Sequence, residues 1–293
     1  MPTKSIYRNP EGEAEIHAIY DRQLARLKLS YESRMVKTRF GNTHVLELGP
    51  KTTPPVVLLQ GGNTTSPLTI GWLRPLIGSH RVYAPDTIGH PGKSAPVRLS
   101  PHDDSYGEWL VEVLDALGLH QPPVLGGSYG AGILLRAAVY APERINKAVL
   151  FIPSGLVSIP ISSMLYMLWW LGVYRLSPSR LQLKRLLWPI FKDEPVNEEL
   201  IEITEAVFRN VHIESEMPRN VRREELIRFK APVLVLAAEK DGLFPADKVV
   251  KRAREVFPNL VAAEVIPGAA HYLQARYHPY LNERCERFLQ ETT

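Results

Sequence analysis

The chain has 293 residues, 45% hydrophobic and 23% charged side chains, 35 Lys and Arg against 31 Asp and Glu, and a single cysteine, Cys285. That is enough apolar material for a sizeable core in one large α/β domain or two smaller ones, and it excludes a disordered tail protein. A net charge of +4 spread along the chain barely favours a nucleic-acid partner, and one cysteine excludes a disulfide framework within the chain and any multi-cysteine metal site.

In chain order, Met1 to Tyr20 is polar and mixed in charge, without the apolar run of a secretion signal, so a cytoplasmic protein is expected. Ile16, Tyr20, Leu24 and Leu27 recur at helical spacing and predict a helix over Glu13–Leu27. Met35–Phe40 and His44–Leu48 flank Gly41-Asn42 and read as a β-hairpin. Val56–Leu59 is a continuous apolar run ending in Gln60-Gly61-Gly62, as strands buried on both faces are. Val82–Ala84 is a further strand, and Leu110, Val113, Leu114 and Leu117 mark a helix stopped by Gly118. Val124-Leu125 leads into Gly126-Gly127-Ser128, followed by a helix from Ala131 to Tyr140. Ala148–Ile152, Val233–Ala238 and Leu260–Ile266 complete the strands, and Leu281, Cys285, Phe288 and Leu289 place a closing helix.

Short, wholly apolar strands alternating with helices predict a mostly parallel sheet covered by helices on both faces. The alternation breaks between Ser154 and Arg228, a helical stretch rich in Trp169, Trp170, Trp188, Phe191 and Phe208. The expected organisation is therefore a core of residues 1–153 and 229–293 with residues 154–228 inserted as a helical cap. Ala148 to Tyr174 holds 27 residues without a charge, but Pro153, Gly155, Pro160 and Gly172 interrupt it, so a membrane span is not expected.

The chemistry centres on Gly126-Gly127-Ser128-Tyr129-Gly130, a G-x-S-x-G pattern after a strand and before a helix. A sharp turn there lifts the Ser128 hydroxyl above the sheet, and glycines permit the close backbone crossing. The turn lacks the G-x-G-x-x-G of dinucleotide binding. A serine hydroxyl needs a base and a group that orients the base. His271, in Pro267-Gly268-Ala269-Ala270-His271, follows a strand at its carboxyl end, whereas His212 and His278 fall in helical surroundings. Asp241, in the loop after Val233–Ala238, is the expected acid, with Glu239 as its substitute. The Tyr129 and Gly62 N–H groups are expected to face a developing oxyanion, with Asn63 able to add a side-chain donor. No metal-ligand cluster and no P-loop are found, and no cofactor is expected.

These motifs resemble the α/β-hydrolase family, in its branch with a cap after the strand that follows the nucleophile helix. Asp86-Thr87-Ile88-Gly89-His90-Pro91-Gly92-Lys93-Ser94 resembles that family's D-x-x-G-x-G-x-S loop with one residue inserted. The resemblance implies a triad of Ser128, Asp241 and His271 with an oxyanion hole from Tyr129 and Gly62. Two departures stand out: Gln60-Gly61 where the family usually has His-Gly, and the longer Asp86 loop, whose His90 is expected to be structural or solvent-facing. The expected activity is that of a serine carboxylesterase acting on small to medium apolar esters, with Asn63, Trp169 and Trp170 near the substrate. Carbon–carbon or amide hydrolysis by the same triad and a ligand-binding protein on the same fold are the alternatives. The expected partner is a small molecule, with neither nucleic acid nor a membrane span; the oligomeric state is left open.

Overall fold

A computed structural model describes residues 5–291. Residues 1–4, which open the polar Met1–Tyr20 segment and the first expected unit, and 292–293, which close the last one, lie outside the described residues. Eight strands form one sheet: β1 (Tyr31–Thr38), β2 (Gly41–Leu48), β3 (Pro55–Leu59), β4 (Arg81–Pro85), β5 (Val124–Gly127), β6 (Ala148–Phe151), β7 (Val233–Ala238) and β8 (Leu260–Ile266). Their order is β1-β2-β4-β3-β5-β6-β7-β8. The β1–β2 and β2–β4 pairs are antiparallel, and all pairs from β4 to β8 are parallel. The mostly parallel sheet read from the apolar runs is therefore present, with β5 near its middle.

The central strands β5, β6 and β7 are buried at every residue, because helices cover both faces. On one face the helices Ser105–Leu117, Tyr129–Tyr140 and Ala246–Val256 enclose a core including Trp109, Leu134, Val235 and Val249. On the other, Pro10–Leu27, Ser66–Trp72 and His278–Gln290 enclose Leu24, Leu58, Leu236 and Phe288. The first helix starts at Pro10, earlier than its apolar spacing shows. The Asn9 side chain caps it by accepting from the Gly12 N–H at 2.7 Å, and Pro10 fits the first helical turn. The hairpin turn is also displaced from expectation. Thr38 pairs with Gly41, so the loop is Arg39-Phe40, and Gly41 instead opens β2 at φ +130°. Glycine is needed there because a Cβ would lie 2.7 Å from the Ala95 Cβ.

Between β6 and β7 the chain forms four α-helices, Ile161–Leu176, Arg180–Leu186, Trp188–Phe191 and Glu198–Asn210, and a short 3-10 helix, Arg223–Leu226, but no strand. Glu198–Asn210 rests on the first helix through a third apolar cluster that joins Ile16 and Ile19 to Ile203 and Val207. Arg22–Glu202 and Arg209–Glu15 ion pairs flank that contact. No helix among the described residues is long and apolar enough to cross a membrane.

Candidate active site

β5 ends at Gly127 and the next helix begins at Tyr129. Ser128, between them, has φ +50° and ψ −115°, a backbone conformation that side-chain-bearing residues rarely adopt. Surrounding bonds enforce it. The Ser128 N–H donates to the Phe151 carbonyl at 3.1 Å, and its own carbonyl accepts from the N–H groups of Ala131 at 3.0 Å and Ser154 at 3.2 Å. The Ser154 hydroxyl donates to the same carbonyl at 2.9 Å. The turn also forces backbone onto backbone: a Cβ on Gly126 would lie 2.6 Å from the Gly130 carbonyl oxygen, and one on Gly130 2.6 Å from those of Leu59 and Gln60.

The loops after β7 and β8 meet this turn. The Lys240 N–H donates to the Ala269 carbonyl at 2.7 Å, joining the two loops. Asp241 sits in the first with its side chain 1% exposed. Its Oδ1 accepts from the N–H groups of Leu243 at 2.7 Å and Phe244 at 2.9 Å, which keeps the buried carboxylate solvated by backbone. Its Oδ2 lies 2.8 Å from His271 Nδ1. His271 Nε2 lies 3.0 Å from the Ser128 hydroxyl oxygen. With Nδ1–H donating to Asp241, Nε2 carries the lone pair and accepts from the serine hydroxyl. Such a line can remove a proton from Ser128 and stabilise the resulting imidazolium. Glu239 stays outside the line: it is exposed and accepts from the Gly268 N–H at 2.6 Å.

The loop after β3 lies alongside. A Cβ on Gly61 would sit 3.9 Å from the Ser128 Cβ, and one on Gly62 3.1 Å from the Tyr129 Cβ. Gln60, where the family usually has histidine, is buried; its amide nitrogen donates to the Thr64 carbonyl at 2.6 Å and its oxygen accepts from the Ser66 hydroxyl at 2.5 Å. It therefore braces the loop from within. Asn63 holds the loop from outside, at φ +52°. Its amide bonds both ways with the Glu214 backbone, donating to the carbonyl at 2.8 Å and accepting from the N–H at 2.9 Å. The expected extra donor toward an oxyanion is thus spent on Glu214, which tethers the loop to the chain returning from the inserted helices.

His90 supports the same loop. It is 1% exposed, which overturns the solvent-facing alternative. Its Nδ1 accepts from the Asn63 N–H at 3.2 Å, and its ring lies 4.5 Å from that of Tyr129. Burial, with Arg98 nearby, pushes its pKa down to about 3, so the ring is neutral and can accept. Asp86, fully buried, fixes the rest of that loop through the Tyr20 hydroxyl at 3.0 Å, His44 Nδ1 at 2.9 Å and the Lys93 N–H at 2.8 Å.

The structure thus brings Ser128, Asp241, His271, Tyr129, Gly62 and Asn63 to one edge of the sheet. It does not bring Trp169 there. That side chain is 69% exposed on the outer side of Ile161–Leu176, and so open a ring cannot line an enclosed pocket. Trp170 packs beneath the Arg185 guanidinium, 4.9 Å from its ring, and beside Tyr166. The side chains that reach inward from the same segment are Met167, Ile190 and Met217, which pack on the apolar cluster containing Tyr129. Sequence reading did not find the partnership of His90 and Glu214 with Asn63. No local pattern joins residues 27 and 151 positions apart. Among the described residues no group of three His, Cys, Asp or Glu is placed to hold a metal ion. Cys285 is buried far from solvent, which pushes its thiol up to about 12 and leaves it inert.

Known proteins share this fold. A family profile described as alpha/beta hydrolase fold matches residues 54–187. Carboxylesterase YbfK of Bacillus subtilis is 28% identical over 294 residues, covering 95% of both chains. Its crystal structure superposes with a TM-score of 0.82 over 97% of this chain and 100% of the other. The crystal structure of naproxen esterase (carboxylesterase NP), also from Bacillus subtilis, does so with a TM-score of 0.84 at 26% identity, again over 97% of this chain and 100% of the other. The order of the strands, the turn at Ser128 and these full-length likenesses give the chain the α/β-hydrolase fold.

Proposed function

We propose that this enzyme is a serine carboxylesterase, with Ser128 as nucleophile, His271 as general base and then acid, and Asp241 as the group that orients and charges against His271. The observation behind the reading is the unbroken hydrogen-bonded line Asp241–His271–Ser128, with the serine lifted on a positive-φ turn. Ser128 Oγ attacks the ester carbonyl as its proton passes to His271 Nε2. Asp241 stays ionised and stabilises the imidazolium. The Tyr129 and Gly62 N–H groups receive the negative charge on the carbonyl oxygen, where a single such donor is worth roughly 10²–10³ in rate. His271 then gives its proton to the departing alcohol, leaving an acyl-Ser128. Water loses a proton to the same Nε2 and releases the acid. No step needs a cofactor.

Residues 154–228 serve as the cap in this reading, and specificity lies on its inner side. Met167, Ile190 and Met217 there are apolar, which suits small to medium apolar acyl or alkyl groups. A cytoplasmic location is part of the same proposal. The test is initial rates on p-nitrophenyl esters of increasing acyl length, run beside Ser128→Ala. Activity with a chain-length optimum, lost in the variant, is expected. Absence of Ser128-dependent turnover across the series would overturn the ester reading and favour carbon–carbon or amide substrates, or ligand binding without turnover.

A further inference from the structure

The Ile161–Leu176 helix has no buried residue, although only one of its sixteen side chains is charged. Ile161, Met164, Leu165, Leu168, Trp169 and Leu176 are all exposed, and their spacing of three and four residues places them on one face. The opposite face, with Met167, Trp170 and Tyr174, rests on the molecule, so this is not a loosely attached segment. The apolar surface continues to Trp188 through Tyr166, whose ring lies 5.5 Å from it. An apolar stripe of this length facing water marks a contact surface.

The charge around it is one-sided. Between residues 148 and 192 there are five Lys and Arg and no Asp or Glu. Arg180 and Lys184 are paired with Glu198, and Arg180 also with Glu205. Arg175, Arg185 and Lys192 make no ion pair among the described residues; Arg185 and Lys192 sit on the rings of Trp170 and Trp188. Asp193 and Glu198 are the exposed acids at the edge, and Glu198 is taken up by Arg180 and Lys184. Exposed aliphatic side chains with tryptophan, bordered by unpaired cations, match an amphiphile surface whose headgroups are negative. A second copy docking symmetrically would bring the Arg175 region of each protomer toward the same cationic face of the other.

We propose that this outer face of the Ile161–Leu176 helix is a peripheral docking surface for an anionic lipid interface. Docking there would not block catalysis. Trp188 begins the short helix whose Pro189 and Ile190 carbonyls accept from the N–H groups of Gly242 and Tyr272, neighbours of Asp241 and His271, so the interface lies beside the site and an apolar ester could pass from one to the other.

The test is vesicle flotation with the full chain, using phosphatidylcholine alone and phosphatidylcholine containing phosphatidylglycerol. Hydrolysis of a short, water-soluble p-nitrophenyl ester and the thermal midpoint report whether each variant is folded. Binding to the phosphatidylglycerol vesicles that falls with added salt is expected. Leu165→Glu with Leu168→Glu should weaken it roughly tenfold or more, and Arg175→Gln about fivefold, the effect of one cation near such a surface. Both variants should keep the soluble activity. Equal binding to both vesicle types, or no binding by a monomer in analytical ultracentrifugation, overturns the proposal. So does a dimer that Leu165→Glu with Leu168→Glu dissociates, since the face would then be covered by a second copy. Flotation does not depend on catalysis, so failure of the ester reading and failure of this one are separable.

Discussion

Two apolar stretches of the chain have opposite fates. Val124–Gly127 enters the middle of the sheet, is buried throughout and ends at the strained Ser128. Ile161–Leu176 is longer and almost as apolar, yet none of its residues is buried. The difference lies in what each stretch meets. The strand is enclosed by β3, β6 and helices on both faces, and its glycines leave room only for backbone. The helix rests on one side only. Apolar character therefore identifies a contact surface, and topology decides whether the contact lies within the chain.

Four substitutions test that contrast, and the largest effects belong to the turn at Ser128. Ser128→Ala should lower kcat on p-nitrophenyl esters by about 10⁴ or more while leaving the thermal midpoint near that of the parent, because it removes the nucleophile and little packing. Retained turnover would show that the turn does not serve catalysis. Gly126→Ala places a methyl 2.6 Å from the Gly130 carbonyl oxygen and should cost about 3 kcal/mol or more, read as a shift in the urea midpoint. An unchanged midpoint would mean that the crossing is looser than described.

His90 gives a pH-dependent effect. Its folded-state pKa is about 3, against 6.5 for an exposed histidine, so between those values the unfolded chain takes up a proton that the folded chain does not. The contribution is complete above pH 6.5 and is lost as pH falls toward 3. His90→Asn should therefore flatten the acid side of the stability curve by up to about 1.4 kcal/mol per pH unit, measured as urea midpoints from pH 7 to pH 4. Parallel curves for parent and variant would show that the ring is protonated in the folded chain. The smallest effect is on the outer helix. Leu168→Ser, at a position 57% exposed, should change stability by no more than about 0.5 kcal/mol in the same urea assay. A larger loss would mean that this face is covered in solution.

The same contrast explains what the sequence made legible. The strands β3, β5, β6 and β7 were readable because each is a short unbroken apolar run, and the turn at Ser128 because its geometry admits few residue types at Gly126, Ser128 and Gly130. His271 and Asp241 were readable because each follows a strand at its carboxyl end, where loops converge. Trp169 was misplaced because periodicity reports which residues share a face and not which face turns inward. The Asn63–Glu214 pairing and the burial of His90 depend on contacts between distant segments, which no window of sequence contains. The amphipathic helix Ala246–Val256 went unread although Val249, Val250, Ala253 and Val256 recur on one face.

The central claim is that Ser128 forms a covalent acyl-enzyme with the help of His271. Intact-mass and peptide mass spectrometry after exposure to a p-nitrophenyl alkylphosphonate, which mimics the tetrahedral intermediate, tests it most directly. The account predicts one alkylphosphonyl group per chain, on the peptide containing Ser128, absent in Ser128→Ala and at least about 10³-fold slower to form in His271→Ala. Stoichiometric labelling elsewhere, or undiminished ester turnover by a chain fully labelled at Ser128, would contradict it.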